Sequence, residues 1–379
     1  MRADIARADR YHAVRLAAEG WRNAGAIDEG TLRAIASAYP DDRVRLGLGL
    51  RILAGLAALL GGGAFALLVD LVFSAGGIFA LGLAAAFAVA TEIQVGRLRR
   101  AQAGAEYATA FLAAFCAGLA SISLFDSSSM SRYGLPFAAA FAIACWRWGY
   151  AGFAAIAAAL ALAACAGEIA GRPLWLALGL VALPSILRDA RLPRRTPAHR
   201  RCSEAAGLVF LAGAYVAINL YSLDHRWIEW FGNGRDAAPG AWARRAAIAG
   251  TIVMPPVVLY LGARFRERGL LAAGALFTAG SLVTLRQYHP IGPWWLSLVL
   301  GGAACLALAI VLRRWLDAGP GHERYGFTAE PLFADRRLVE AAQAAATLVA
   351  LSPGPRVAPS GGFEGGGGRS GGGGATGSG

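Results

Sequence analysis

Three polar side chains beside a short arginine-rich loop are the first candidates for chemistry in this sequence. Glu92 and Gln94 lie at the end of one apolar run, and Glu106 lies near the start of the next. Ionisable groups inside a bilayer are costly, so they mark ion or proton pathways by default. In the competing interpretation, the carboxylates are boundary residues that pair with Arg97 or Arg100 in the loop between the two runs.

An aromatic and charged segment, DHRWIEWFGNGRDAAPGAWARR, is the second candidate. Trp227 and Trp230 share one face at helical spacing, and Asp224 and Glu229 are the neighbouring acids. Such a segment is typical of a helix in the membrane interface, where Trp is favoured. Aromatic rings beside carboxylates can also bind a sugar or a lipid head group. His225 and Glu229 are four residues apart, but a metal site needs three or four ligands, so we predict no metal.

The dipeptide Pro255–Pro256, inside an apolar run, is the third candidate. Proline removes backbone hydrogen bonds and kinks a helix, and interrupted helices occur at transporter binding sites. Proline is also tolerated in membrane helices generally, and no inverted repeat is visible between the halves of the chain. Because no HExxH, GxSxG, P-loop or kinase motif is present, we assign no catalytic residue and expect no cofactor.

The composition indicates that a bilayer, rather than water, surrounds most of this chain. The sequence is 56% hydrophobic and only 16% charged, whereas soluble domains carry roughly 25% charged residues. A net charge of +12 would suggest a nucleic-acid partner for a soluble protein. Because the arginines lie mainly between apolar runs, we attribute the charge to membrane topology. We therefore expect contact with the lipid bilayer and not with nucleic acid.

Ten apolar segments can be drawn along the chain. A helical span needs about 20 mostly apolar residues, with a range of roughly 17 to 25. The segments predict an all-α fold, a polytopic transmembrane helical bundle of about 8–10 spans, since the fourth and sixth are short enough to be tilted, re-entrant or interfacial. They are 52–73, 75–95, 104–125, 133–146, 149–167, 173–188, 204–223, 246–264, 269–285 and 293–312.

Arginines alternate between the two sides of this ten-span topology. Nine lie between Arg2 and Arg51, and further groups occur in the second, fourth, sixth and eighth loops and after the last span. The other loops are poorer in arginine, except for the long seventh loop, where acidic residues partly balance it. Because arginine-rich loops stay in the cytoplasm, we expect both termini to be cytoplasmic. The polar N-terminal region also predicts no cleavable signal peptide.

The stretch WRNAGAIDEG at 21–30 predicts the elbow of a helical hairpin. Gly25 can end the first helix, and Asp28 can cap the second. We expect Trp21 to fill a small core between the two helices. A catalytic role for Asp28 and Glu29 would need a pocket and partner groups, and the sequence suggests none.

This module resembles the N-terminus of a family of uncharacterised bacterial proteins, predicted multi-pass membrane proteins with a domain of unknown function. The shared features are a Trp, a short polar turn with Gly, and then Ile and acidic residues at the start of a second helix, within residues 11–45. The resemblance implies a location in the bacterial inner membrane and a cytoplasmic hairpin that could contact a protein partner. It supplies no functional residues.

These patterns divide the chain into a hairpin at 1–45, a transmembrane domain at 46–312, an amphipathic segment at 313–351 and a Gly-rich tail at 352–379 that we expect to be disordered. They favour a non-enzymatic inner-membrane protein with a structural or assembly role in the envelope. Two alternatives stay open. One is a small-molecule or lipid transporter, and the other is a membrane-embedded transferase that acts on lipid-linked substrates.

Overall fold

Long apolar helices dominate the structure, a computed structural model, as the composition predicts. It describes residues 3–23, 25–73, 76–101, 103–125, 130–166, 171–191, 197–225, 240–288, 303, 307, 310–319, 323–324 and 327–328. The elements are α1 (Ala3–Asn23), α2 (Glu29–Ala38), α3 (Leu48–Phe73), α4 (Gly76–Gly96), α5 (Ala105–Phe125), α6 (Met130–Trp148), α7 (Ala151–Ala166), α8 (Gly171–Arg191), α9 (Pro197–Ile218), α10 (Leu220–Asp224), α11 (Ala241–Phe265) and α12 (Arg268–Tyr288), with the antiparallel pair β1 (Glu323–Arg324) and β2 (Phe327–Thr328). The predicted all-α transmembrane bundle is confirmed.

Nine of the ten predicted spans coincide with described helices. The first nine segments correspond to α3 through α9, α11 and α12, whereas most of the tenth, 293–312, lies outside the described residues. Six of the described helices are long and apolar enough to cross a membrane, namely α3, α4, α5, α9, α11 and α12. The chain is therefore a multi-pass membrane protein. Most of the segment 313–351 and all of the tail 352–379 also lie outside the described residues.

Helices α1 and α2 lie against one end of the bundle, which we call the hairpin end. Asp9 of α1 accepts two hydrogen bonds from Nη2 of Arg201 in α9, at 3.0 and 2.8 Å. The strand-like segment after α2 pairs with the loop between α4 and α5. There Val44 N donates to Arg99 O and Ala101 N donates to Val44 O, both at 3.0 Å. The hairpin is thus fastened to two separate parts of the bundle.

The helices α6 and α8 also run between the two ends of the bundle. At the hairpin end, Arg147 in the last turn of α6 donates from Nε to Glu92 Oε1 of α4 at 2.9 Å. At the opposite end, Arg172 at the start of α8 donates to the carbonyl oxygen of Ser222 at 2.8 Å. The two helices contain 19 and 21 residues. At 1.5 Å per residue they are about 28 and 32 Å long, which matches a hydrocarbon core of about 30 Å.

Alanines together with a few aromatic rings fill the contacts between helices, and many large aliphatic side chains point outward. Between α5, α6 and α7 the core consists of Ala110, Ala113, Ala114, Phe141, Ala144, Trp148 and Phe153. In contrast, Leu67, Leu71 and Ile78 are 73%, 80% and 78% exposed. This distribution is typical of helices in a bilayer. The hydrophobic effect does not drive helices together there, so small residues that let helices approach closely stabilise the packing. It also supports contact between the chain and the bilayer.

The hairpin differs from the prediction at Trp21. This side chain is 52% exposed and does not fill a core between α1 and α2. The helices meet instead through an edge-to-face contact of Tyr11 with Tyr39, with ring centroids 5.4 Å apart. The cap on α2 follows the expected pattern, since Thr31 N donates to Asp28 Oδ1 at 2.9 Å. Helix α2 has ten residues and none of them is buried, so it offers too little surface to enclose an indole.

Gly104 allows α3 to cross closely over the start of α5. Its φ is +97°, a conformation that L side chains rarely adopt. A Cβ built on it would collide with the carbonyl group of Arg51. The backbone of α3 stays near this point one turn later, since a Cβ on Gly55 would lie 3.5 Å from Gly104 O.

We expect Gly104→Ala to lower the free energy of unfolding by more than about 2 kcal/mol, because it combines backbone strain with a steric clash. Thermal unfolding in detergent measures this loss. Gly61→Ala is the matched control, since Gly61 lies in α3 and a Cβ there would meet nothing within 4 Å. Equal melting temperatures for Gly104→Ala and Gly61→Ala would contradict the close crossing.

Candidate functional site

The carboxylate of Glu92 joins α4 to α6. Its Oε1 accepts hydrogen bonds from Arg147 Nε at 2.9 Å and from Trp148 Nε1 at 3.0 Å. The sequence pattern predicted ion-pair partners in the neighbouring loop, at Arg97 or Arg100. The pair with Arg147 connects helices whose residues are 55 positions apart in the chain, so no local pattern could have identified it.

Gln94 and Glu106 lie on the contact between α4 and α5. Gln94 Nε2 and Thr91 Oγ1 both donate to Thr109 Oγ1, at 3.1 and 2.9 Å. Glu106 has no exposed surface, and its Oε1 accepts from Ala103 N at 2.7 Å. This carboxylate lies in the first turn of α5, where the positive end of the helix dipole favours a negative charge. It therefore orders the loop that precedes α5.

Two acceptor atoms of this group have no hydrogen-bond partner among the described residues. They are Glu106 Oε2 and Gln94 Oε1, both buried. Buried polar atoms are normally paired, so each exception calls for an explanation such as an ion or a water. The structure thus brings Gln94 and Glu106 to one helix contact and directs Glu92 away from it, toward α6.

A cavity of about 100 Å³ lies between the hairpin and the bundle, next to this group. We call it the arginine cavity, because Arg43 and Arg45 reach it from the segment after α2, Arg100 from the α4–α5 loop and Arg201 from α9. Asp9 is the acidic residue that lines it. Because Asp41 pairs with Arg45, the four arginines minus Asp9 and Asp41 leave a formal charge of +2. No sequence pattern predicted this site, because arginines beside apolar runs are also explained by membrane topology.

Two tyrosines form another wall of the arginine cavity. The rings of Tyr107 in α5 and Tyr150 in the α6–α7 connection are stacked, with centroids 3.9 Å apart and planes inclined by 26°. Phenolic hydroxyl groups can donate hydrogen bonds, and arginines bind phosphate and carboxylate groups in a bidentate manner. The cavity therefore has the chemistry of an anion-binding site.

A network of ionisable groups supports the cavity from the hairpin side. Asp41 Oδ2 lies 3.0 Å from Arg45 Nε and 3.0 Å from His12 Nδ1. Burial acts to raise the pKa of Asp41, but the hydrogen bond and charge of Arg45 outweigh it and hold that pKa below its usual value. Burial lowers the pKa of His12, and the charge of Arg45 lowers it further.

The opposite end of the bundle contains a helix interruption at Asn219. Helix α9 ends at Ile218, Asn219 is extended with ψ of 131°, and α10 then begins. Asn219 Oδ1 accepts from the backbone N–H groups of Tyr221 and Ser222, at 3.0 and 3.3 Å. Its Nδ2 donates to Thr284 Oγ1 of α12 at 3.0 Å. One side chain therefore caps α10 and ties it to a neighbouring helix.

Helix α11, by contrast, is continuous through Pro255 and Pro256. Pro255 has no N–H to donate to the carbonyl of Thr251, one turn earlier. Ser281 of α12 supplies this hydrogen bond, because its Oγ donates to Thr251 O at 2.7 Å. The same Ser281 Oγ lies 2.9 Å from Tyr215 Oη of α9. The prolines thus take part in a contact between helices. The sequence indicated an interruption at Pro255–Pro256, whereas the structure has the interruption after α9, at Asn219.

The remaining predicted residues lie at the same end or outside the described part of the chain. Asp224 Oδ2 accepts a short hydrogen bond from the hydroxyl of Tyr288 and lies 3.6 Å from Arg244 Nη2. The aromatic segment that holds Trp227, Glu229 and Trp230 lies outside the described residues. A ligand role for that segment stays a prediction. Within the described ranges, no group of three or more His, Cys, Asp or Glu residues could hold a metal ion.

Comparisons with known proteins add no functional information. No protein-family model, no curated protein and no solved structure matches this chain. Function is therefore inferred from the contacts described above.

The role of Ser281 can be tested with a double-mutant cycle. Ser281→Ala should lower the free energy of unfolding by about 1–3 kcal/mol, because it leaves a buried carbonyl unpaired. In the Pro255→Ala background the loss should shrink, since the new backbone N–H can bond to Thr251 O. Unfolding in mixed micelles provides the measurement. As a control, Thr278→Ala removes a hydroxyl that donates within α12, to Gly274 O at 2.8 Å. Equal losses in both backgrounds would refute the proposed pairing.

The burial of His12 beside Arg45, which lowers its pKa, predicts that the chain is less stable in mild acid. Because folding lowers the pKa of His12 from 6.5, the unfolded chain binds the proton more readily. The resulting stability is complete above pH 6.5 and is lost as the pH falls toward the lowered pKa. His12→Gln should reduce the drop in melting temperature between pH 7.5 and 5.5, and substitution of the exposed His225 by Gln should not. If both variants melt like the unaltered chain across this range, His12 does not couple folding to pH.

Proposed function

We propose that this chain is a non-enzymatic, integral protein of the bacterial inner membrane with a structural or assembly role in the envelope. The observation that carries the proposal is the arrangement of the hairpin. Its charged side is fastened to the bundle through Asp9 and Arg201, at 2.8 Å, and its elbow presents Trp21 to the surroundings. Exposed Trp residues are frequent anchors of protein interfaces. The elbow is therefore our candidate contact for a protein partner.

The distribution of arginine supports cytoplasmic termini. The hairpin end carries Arg97, Arg99 and Arg100 in one loop, Arg147 at the end of α6, and Arg200 and Arg201 at the start of α9. Loops rich in arginine near membrane spans stay in the cytoplasm. Because α1 lies at this same end, the N-terminus belongs to the arginine-rich side.

The ion pairing of three acidic side chains supports a non-enzymatic role. Glu92 is paired with Arg147, Glu267 with Arg200 at 2.6 Å, and Asp224 with Arg244. Catalytic acids and bases instead need a free position within hydrogen-bond reach of a substrate. These ion pairs connect helices to each other, which suits a framework.

A lipid or small-molecule transporter is the second candidate, and the interruption of α9 at Asn219 favours it. Interrupted helices at substrate sites are common in transporters. Here Asn219 bonds to Tyr215 Oη and to Thr284 Oγ1, both at 3.0 Å, so the interruption is closed in this conformation. Flux of lipid or solute across proteoliposomes that contain the full chain would favour this candidate over the first.

Reporter fusions test the membrane orientation. Reporters that are active on only one side of the membrane are placed after Thr196, Asp236 and Gln287. We expect a cytoplasmic signal at Thr196 and periplasmic signals at the other two positions, because arginine-rich loops are retained inside. A cytoplasmic signal at Asp236 would reverse the assignment for the later loops and contradict the ten-span topology.

Substitution of Trp21 tests the envelope role in a host that depends on the protein. Trp21→Ala should leave the melting temperature nearly unchanged, since an exposed side chain contributes little to folding. We expect deletion of the gene to make cells sensitive to detergent and osmotic shock, and Trp21→Ala should reproduce that sensitivity. Trp146→Ala is the matched control, because Trp146 is 69% exposed on the bundle itself. Deletion without any envelope defect would overturn the proposed role.

A further inference from the structure

An apolar groove of about 480 Å³ adjoins the arginine cavity. It lies between α3, α5 and α7, and we call it the acyl groove. Its apolar walls are formed by Ile52, Leu56, Leu59, Ala108, Phe111 and Phe153. Arg51 and Gly104 lie at its hairpin end, and Tyr107 lines both the groove and the arginine cavity. A charged compartment and an apolar compartment therefore meet at one aromatic ring.

The acyl groove opens toward the surrounding lipid. Leu56 is 51% exposed and Ile52 is 36% exposed, and α3 buries none of its most apolar stretch inside the protein. The groove extends along α3 from Arg51 to Leu59, eight residues or about 12 Å at 1.5 Å per residue. It thus begins at the charged end of the bundle and runs into the hydrocarbon region.

The two compartments differ in what they can hold alone. The arginine cavity, at about 100 Å³, is smaller than typical small-molecule sites of roughly 300–1,000 Å³. Its formal charge of +2, from four arginines, Asp9 and Asp41, suits a compact anionic group. The acyl groove has the volume of a ligand site but an apolar lining. One ligand with a small anionic head and a long apolar chain matches both.

We propose that the arginine cavity and the acyl groove together hold one anionic phospholipid from the leaflet at the hairpin end. Its phosphodiester lies among Arg43, Arg100 and Arg201, and one acyl chain lies along Leu56 in the groove. The ring of Tyr107 separates the two regions. Guanidinium groups bind phosphate oxygens in a bidentate manner, and basic pockets between membrane helices bind anionic head groups.

This site connects the hairpin to the lipid. Arg43 and Arg45 come from the segment that follows α2, whereas Arg100 and Arg201 belong to the bundle. A phosphate among them reduces the repulsion between like charges that the docked hairpin creates. The bound lipid therefore stabilises the docked arrangement, and anionic lipid should raise the melting temperature.

Lipid titrations of the purified full-length chain test the proposal. Delipidated protein in neutral detergent is titrated with dioleoyl phosphatidylglycerol or dioleoyl phosphatidylcholine, and native mass spectrometry counts the bound lipid. We expect the anionic lipid to bind at least about fivefold more tightly, the expected contribution of one cation near an anionic head group. Equal binding of the two lipids would overturn the proposal.

Substitutions in one loop locate the head group. Arg100→Gln should weaken binding of phosphatidylglycerol about fivefold, and it should fold, since Val44 pairs with the backbone of this loop. Arg97→Gln is the matched control, because Arg97 is exposed in the same loop and does not line the cavity. Arg43→Gln replaces Arg100→Gln if the first variant does not fold. Identical affinities for the cavity variant and the Arg97→Gln control would exclude the arginine cavity.

A substitution in the groove distinguishes a lipid from a soluble anion. Leu56→Trp places a larger side chain in the acyl groove from an exposed position on α3. It should weaken binding of phosphatidylglycerol, and glycerol phosphate added in excess should not displace the lipid. If Leu56→Trp binds the lipid normally, or if glycerol phosphate displaces the lipid, the cavity binds free anions and the proposal of a lipid site is wrong.

Discussion

Inside a bilayer, every backbone N–H and C=O group must find its partner within the protein, because the hydrocarbon offers none. Helices α9 and α11 both depart from regular bonding, at Asn219 and at Pro255. One connected set of side chains compensates for both departures. Asn219 caps α10, and Ser281 donates to Thr251 O. Both side chains also contact Tyr215 Oη. The packing of α9, α11 and α12 depends on this set.

The hairpin end is organised by charge rather than by neutral hydrogen bonds. Asp9 and Glu267 pair with Arg201 and Arg200 of α9, and Glu92 pairs with Arg147 of α6, in a region where water can reach the side chains. Exposed pairs contribute little each, but together they set which helices are adjacent. The same excess of arginine that indicates topology leaves a positively charged cavity where the hairpin meets the bundle. The ion pairs at the hairpin end and the positive charge of the arginine cavity thus both come from these arginines.

The two ends of the bundle suggest different tasks. The interruption at Asn219 is held closed by neutral groups that are 4% to 8% exposed, including Tyr215 and Thr284, so this end acts as a fixed framework. The hairpin end combines the exposed Trp21, the arginine cavity and the acyl groove. The partner contact that we propose for Trp21 and the lipid site that we propose for the cavity and groove would therefore both lie at this end.

The length and apolarity of each run determine nine helices from the sequence alone, and Asp28 identifies a cap, because these signals are local. The sequence cannot determine which side chains meet across helices. Arg201 and Asp9 are 192 residues apart in the chain, and Arg43 reaches a cavity shared with Arg100 only after α1 and α2 dock. Tertiary structure also decided that Trp21 stays exposed, since burial depends on the area a neighbour can offer, which no short pattern encodes.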